Sequence, residues 1–334
     1  MSLKETALKS TGSGNNIEVL GYDEKEKLFK VRDRETGNIC AIVDTYAEMF
    51  GMWVGRILIT AESLGWANVA ARTSTGFASS IIMSPAEAGI EGAVAPSETP
   101  DGRAGVLVQV YHRTRPDLKS QMVLRIGQCV MTCPTTSAFD AMQKAKRRLK
   151  VGRSLRLFGD GFQRKDVVSG RNVWRIPVME GEFIVEDSFG TAKAIAGGNL
   201  IIMAKDLASG LKASVKAVEA IRSSCNGVVM PFPGGICRSG SKAGSLKYKL
   251  KASTNHPLSP KLRDLVEDSE IPEGVQSVYE IVINGLKLEY VEKAMAEGIR
   301  ATLKIPGVVR ITAGNYGGKL GPYHAYLKDV LGLK

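Results

Sequence analysis

Apolar residues recur along this chain in two alternating rhythms. Near the start, IEVLGY and KLFKVRD are rich in β-branched and aromatic residues and are separated by DEKE, which predicts a hairpin between 17 and 33. RETGN then turns the chain into NICAIVDTYAEMF, and from there a strand–helix–strand pattern recurs four times. GRILITAE (55–62), SLGWANVAARTST and GFASSIIMS make the first unit; GVLVQVYH (105–112), RPDLKSQMVLRI and GQCVMTC the second. GNLIIMA (198–204), KDLASGLKASVKAVEAIR and GVVMPF follow, then VYEIVIN (278–284), LEYVEKAMAEGIRATLK and GVVRITA (307–313). The third helix repeats apolar residues at Leu211, Val215, Val218 and Ile221, and the fourth at Val291, Ala294, Met295 and Ile299.

The third and fourth units also resemble each other in wording, GVVMPFPGG against GVVRITAGNYGG, each followed by lysine and glycine. Four such units in two pairs predict an α+β fold of two ferredoxin-like (βαββαβ) lobes, antiparallel sheets with helices packed on them, plus an N-terminal hairpin extension. The long glycine-rich insertions do not suit a doubly wound parallel sheet. The expected organisation is an extension over 1–38, whose polar residues 1–15 with TGSGNN make a flexible leader, a first lobe over 39–155 and a second over 156–334. The boundary falls in the charged, glycine-containing stretch near 145–165, where KAKRRLK (144–150) reads as helix-like; VWRIPVMEGEFIVEDSFG (173–190) bridges the lobes or extends a sheet.

One position in this pattern is out of keeping. In VYEIVIN, Glu280 shares a strand face with Val278 and Val282, because side chains alternate faces. A carboxylate there either lies on a wetted sheet face or is buried with its protonation shifted.

Composition narrows the function classes. The 334 residues suffice for two domains, and the formal net charge of +11 suits an anionic partner: nucleic acid, a membrane surface, or a small substrate bearing phosphates and carboxylates. No apolar run approaches the ~20 residues needed to span a membrane, and MSLKETALKS has no apolar core for a secretory signal. The five cysteines (40, 129, 133, 225, 237) lack a framework spacing and read as reduced thiols of a cytoplasmic protein. GDGFQR and GICRSGSK fail as nucleotide loops, the first for want of a third glycine and the second for want of Lys-Ser/Thr in the required order. The three histidines are scattered, and Cys129 and Cys133 lack the second half of a zinc site. Stacking on RNA bases needs aromatics on central strands, yet aromatics are 6% of the chain and GRILITAE, GNLIIMA and GVVRITA contain none. There remain the loops ETPDGRAG, CPTTSAF, AGGNL, PFPGGICRSGSKAGS, KASTN and AGNYGGKLG, whose glycines let backbone amides approach an anionic ligand.

RILITAESLGWA, SIIMSPAEAGIE, ETPDGR, RIGQCVMTCPTTSAFDAM, FGDGFQ, GEFIVEDSFG, AGGNLIIMA, PFPGGI, ASTN, VYEIVINGL and ITAGNYGGKLG run in this order over residues 39–334. In these motifs the chain resembles the formylmethanofuran–tetrahydromethanopterin N-formyltransferase family. The resemblance implies two ferredoxin-like lobes, a homodimer or homotetramer in the cytoplasm, and no metal or prosthetic group. It implies reversible formyl transfer between the amine of methanofuran and a ring nitrogen of tetrahydromethanopterin, two anionic one-carbon carriers that act as substrates. It also implies a role for Glu280, as the family's YEIVING glutamate, in general acid/base catalysis, for which flanking valines would raise its pKa. Arg238 and Lys242 are candidate contacts for the carriers' anionic groups. The amides around Gly197, Gly198 and Asn199 and the side chains of Asn255 and Asn284 are candidate oxyanion donors, Asn284 having a helix cap as its other reading. Gln128 and Thr135 are candidate substrate contacts on the first lobe, or plain loop structure. Neither nucleic acid nor membrane is an expected partner. The runners-up are a bacterial-type subunit of a formyltransferase/hydrolase complex and, from other classes, a ligand-sensing or RNA-binding pair of ferredoxin-like lobes. The hairpin of residues 1–38 exceeds the family's usual start and is expected to add strands at a sheet edge or subunit contact.

Overall fold

The computed structural model describes residues 16–333, so the leader expected over 1–15 lies outside the described residues. The chain is of the α+β class and divides into two compact units. A terminal unit comprises the chain up to Phe50 with Ile195–Val228 and Phe232 onward; a central unit comprises Gly51–Ala194 with Val229–Pro231.

The hairpin forms as its pattern predicts: β1 (Ile17–Asp23) pairs antiparallel with β2 (Leu28–Asp33), and β2 with β3 (Ile39–Val43). Alternation places Phe29, Val31, Cys40 and Ile42 in the core. β4 (Tyr46–Ala61) then leads into the central unit. There it is followed by α1 (Leu64–Thr75), β5 (Glu87–Val94), β6 (Ala104–His112), α2 (Arg115–Arg125) and β7 (Ser137–Asp140). Ser63 and Thr114 cap the two helices by accepting from the amides of Trp66 and Asp117. The antiparallel strand order is β5-β6-β4-β7, set by pairs such as Ile90↔Val108, Ile59↔Val106 and Ile59↔Ala138.

Three strands expected from sequence are not where periodicity put them. GFASSIIMS is turn and loop, and the strand falls later, at Glu87–Val94. Here the backbone bonds to side chains instead of to a neighbouring strand: Arg125 Nη1 donates to the carbonyls of Ser74 (2.6 Å) and Gly76 (2.9 Å), and the Glu87 carboxylate accepts from the Ile81 amide at 2.9 Å. GQCVMTC continues α2 as a π-helical turn, Ile126–Val130, because Ile126, Val130 and Met122 repeat at helical spacing and are all fully buried. GVVMPF is strand only at β13 (Val228–Val229), since Pro231 and Pro233 have no amide to donate. KAKRRLK is likewise no helix but β8 (Arg147–Leu149), paired with the start of β12.

After β8 and α3 (Val151–Leu155), the meander β9 (Arg164–Val168), β10 (Arg171–Val178) and β11 (Gly181–Glu186) extends the central unit's sheet through a parallel β11–β7 pair. β12 (Phe189–Ala204) returns the chain to the terminal unit. It is followed there by α4 (Leu207–Ser224), β13, β14 (Ser277–Gly285), α5 (Leu288–Leu303), β15 (Val308–Thr312), β16 (Tyr323–Tyr326) and α6 (Leu327–Leu331). β14 and β15 flank β12, in the registers Leu200↔Ile281 and Ile202↔Ile311, and β13 pairs with the far side of β14. β3 joins the outer edge of β15 in parallel, so the hairpin lengthens this sheet. The helices pack through small residues: α4 buries Gly210, Ala213, Ala217, Val218 and Ile221, while Leu211 and Val215 of the expected stripe are exposed.

Deleting residues 1–36 removes β1 and β2, leaves the paired edge of β3 open and takes the buried Phe29 and Val31 out of the core. A lower thermal-unfolding midpoint is the expected result, and an unchanged midpoint would show that the hairpin contributes nothing to stability.

Candidate functional site

β14 sits between β12 and a loop crossing its other edge, where the Cys237 and Glu280 backbones exchange hydrogen bonds of 2.7 and 2.9 Å. The Glu280 side chain is therefore covered, with 5% of its surface exposed, and the alternatives left by the sequence resolve to the buried one. Its carboxylate accepts from the Ser241 amide (2.8 Å, Oε2) and the Ser241 hydroxyl (2.7 Å, Oε1), with a longer contact from Asn199 Nδ2 at 3.4 Å. Burial pushes the Glu280 carboxyl above the ordinary glutamate range, and the two Ser241 bonds pull it back part of the way. Beside it opens a pocket of about 100 Å³ lined by residues including Cys237, Arg238, Ser239, Asn255, Val278 and Glu280.

Asn199 is buried on β12; its Oδ1 accepts from the Gly314 amide at 2.7 Å while its Nδ2 faces Glu280. A Cβ on Gly314 would lie 2.6 Å from that Nδ2, so only glycine fits this approach. Two residues on, the Tyr316 ring lies beside Gly314, its hydroxyl 3.3 Å from where a Cβ on that glycine would be. Burial, then the Glu280 charge, then the carboxylates of Glu48 and Glu270 raise the phenol's pKa against the lowering effect of Ser241, so it stays protonated.

The candidate residues separate accordingly. Glu280, Asn199, Arg238 and Asn255 come together in the terminal unit, and Lys242 follows Ser241 with its Nζ donating to Ser253 Oγ at 3.3 Å. Gly197 and Asn284 meet each other instead. Gly197, at φ +90°, donates its amide to Asn284 Oδ1 at 3.1 Å, which ties down the bulge in β12; α5 starts after Lys287 without an Asn284 cap. Gly198 packs against α5, where a Cβ would lie 2.2 Å from Val291 Cγ1. Gln128 and Thr135 belong to the central unit. Gln128 lies exposed on the π turn; Thr135, at φ +63°, has its amide on Glu180, its carbonyl on Arg103 and its hydroxyl accepting from the Glu62 amide at 3.2 Å.

Ser241, Tyr316 and Glu48 escaped the sequence reading. Glu48 carried the same signal as Glu280, a single carboxylate in an apolar run, Ala47-Glu48-Met49. Fully buried on β4, it accepts from the amides of Tyr316 (2.9 Å), Gly318 (3.0 Å), Leu320 and Gly321 (3.0 Å). Burial raises its pKa, but those four amides outweigh it and hold the carboxyl below its usual range. The thiols show no activation: burial raises Cys40 to about 12, and it raises Cys129, Cys133, Cys225 and Cys237 as well. Among the described residues no group of three or more His, Cys, Asp or Glu side chains is placed to hold a metal ion, and no helix is long and apolar enough to cross a membrane.

A buried carboxyl that holds its proton to higher pH, set beside a small polar pocket, marks a candidate substrate site. Residues 36–178 match the family described as formylmethanofuran-tetrahydromethanopterin formyltransferase, and residues 181–330 match the one described as FTR, proximal lobe. The formylmethanofuran–tetrahydromethanopterin formyltransferase of Methanocaldococcus jannaschii is 54% identical over 86% of this chain and 97% of its own length. The solved formylmethanofuran:tetrahydromethanopterin formyltransferase of Methanosarcina barkeri is 48% identical over 86% of this chain and 97% of its own, with a TM-score of 0.83. A chain of the formyltransferase/hydrolase complex from Methylorubrum extorquens, solved with methylofuran, is 40% identical over 89% of this chain and 97% of its own, also with a TM-score of 0.83. The chain belongs to the formylmethanofuran–tetrahydromethanopterin formyltransferase family.

The raised pKa of Glu280 has a consequence for stability. The folded carboxyl keeps its proton to a higher pH than the unfolded one, so the wild type loses stability as pH rises through the window between the two values. Glu280→Gln carries no such charge; its melting temperature should exceed that of wild type above the window, and the gap should narrow as pH falls. A gap independent of pH would mean that the buried carboxyl does not titrate differently on folding.

Proposed function

We propose that the chain transfers a formyl group reversibly between N-formylmethanofuran and tetrahydromethanopterin, with Glu280 as general acid and base. The observation that carries the mechanism is the burial of Glu280 at a pocket, with Ser241 fixing both carboxyl oxygens. The amine nitrogen of tetrahydromethanopterin attacks the formamide carbon; a C–N bond forms and the carbonyl π pair moves to oxygen. Glu280 takes the proton that the attacking nitrogen sheds and returns it to the methanofuran nitrogen as the second C–N bond breaks. The carboxylate ends as it began, and no co-reactant is consumed. A pKa lifted toward neutrality suits both halves, and proton transfer of this kind typically contributes ~10²–10⁴ in rate. The side chains of Asn199 and Asn255 supply donors for the developing oxyanion, and Arg238 and Lys242 attract the anionic carriers, which gives the net charge of +11 a use.

The strand orders β5-β6-β4-β7 and β13-β14-β12-β15, each antiparallel with helices at its crossovers, support a ferredoxin-like core in each unit. We place the enzyme in the cytoplasm as a homo-oligomer, a dimer of dimers, which light scattering on the purified protein tests. The Methylorubrum extorquens relative favours a second reading, a subunit of a formyltransferase/hydrolase complex, and co-purification with hydrolase subunits would establish it.

Formyl transfer between the two carriers is the direct assay. Glu280→Gln should lower kcat by ~10²-fold or more with little change in KM. A fully active variant would remove Glu280 from the mechanism, and a wild type without turnover would refute the activity.

A further inference from the structure

The central unit gathers three cations on one indole. Trp53 of β4 has the Arg115 guanidinium carbon 5.5 Å from its ring centroid, that of Arg147 at 5.4 Å and Lys193 Nζ at 4.8 Å. The three come from different elements: Arg115 opens α2, Arg147 lies on β8 and Lys193 on β12. An indole has two faces, so at least two of the cations share one. The ring attracts each of them weakly and does nothing against the repulsion between them. Among the described residues none of the three side chains makes an ion pair or a hydrogen bond, and Arg115 Nε is buried without a partner. Other arginines of this unit find a carboxylate, Arg56 that of Glu91, Arg148 that of Asp140 and Arg175 that of Asp166. Around Trp53 no acid is supplied: the KAKRRLK run that carries Arg147 has five cations and no Asp or Glu. The acid in the first turn of α2, Asp117, accepts instead from Thr114 Oγ1 at 2.6 Å, with His112 Nδ1 3.7 Å away.

We propose that Arg115, Arg147 and Lys193, held on Trp53, form a binding site for a phosphate group, the anion that these charges lack within the chain. A guanidinium presents a planar fork of donors that matches two phosphate oxygens, and an ammonium adds a compact point charge. The indole steadies the long stems before the ligand arrives, which lowers the entropy lost on binding. Phosphate held there ties together parts of β4, α2, β8 and β12, so it stabilises the folded chain by mass action. Free phosphate and the phosphate ester of a small organic molecule share this chemistry. The site is built from the central unit alone, whereas the lining of the Glu280 pocket belongs to the terminal unit. It therefore stands or falls independently of the reading of Glu280.

Calorimetric titration of the full-length protein at constant ionic strength tests it, with inorganic phosphate in one arm and glycerol phosphate in the other. The wild type should bind one equivalent per chain, and the arm that binds more tightly identifies the source as free phosphate or an ester. In the triple variant Arg115→Gln, Arg147→Gln, Lys193→Gln the affinity should fall ~10-fold or more. Binding in neither arm would overturn the proposal, as would an affinity unchanged in the triple variant. Binding should also alter the tryptophan fluorescence of the wild type but not that of Trp53→Phe; a response that persists in this variant puts the anion elsewhere and overturns the site. If the triple variant does not fold, Lys193→Glu at an exposed position supplies a carboxylate from within the chain. It should melt above wild type in phosphate-free buffer and gain nothing further from phosphate. A phosphate-induced rise in melting temperature equal to that of wild type would overturn the proposal equally.

Discussion

A buried carboxyl group must meet the cost of leaving water, and the terminal unit meets it in two opposite ways. Glu48 stays charged because four backbone amides replace its hydration. Glu280 has one amide and one hydroxyl from Ser241 and a distant Asn199, too little to offset its burial, and its proton is correspondingly harder to remove. The two environments thus divide the carboxyls, one held charged by backbone and the other holding its proton to higher pH. Stripping the carboxylate from Glu48 would leave several amides unpaired, at about 1–3 kcal/mol each, so the order of the loop depends on it.

The sheet supplies the precision that this division needs. β12 presents Asn199 and β14 presents Glu280 on hydrogen-bonded neighbours, where register leaves little latitude. The bulge between Ile195 and Gly198, tied down by Asn284, marks where β12 enters that register. Residues that look like ligand contacts in a sequence thus serve the backbone here: the Gly197 amide is spent on Asn284, and Gly198 is small because Val291 of α5 leaves no room. Thr135 is similar in the central unit, with amide, carbonyl and hydroxyl all engaged within the protein.

The chemistry consistent with this site is direct transfer. A formyl-thiol intermediate needs a thiolate, and the thiol nearest Glu280, Cys237, is buried beside a carboxylate that raises its pKa further. Glu280 faces an open polar pocket instead, with Arg238 and Asn255 on its walls.

Much of this was legible in the residues alone. Period-two runs located the hairpin, β6 and β14, period-3.6 runs located α1, α2, α4 and α5, and the lone acid of VYEIVIN drew notice to Glu280. Local pattern failed where backbone bonds to side chains, as around Arg125 and Glu87, and where apolar spacing suited a π turn as well as a strand, as in GQCVMTC. It also assigned Leu211 and Val215 to the core, although close packing of α4 and α5 favours Ala213 and Ala217. Sequence thus determined which residue types and rhythms were available, because alternation and helical period are properties of neighbouring positions. Tertiary structure alone decided that Glu48 meets residues 316–321, and that Ser241 and Asn199 meet Glu280. These partners lie tens to hundreds of positions apart, and no local rhythm records which distant backbone amides a buried carboxylate will find.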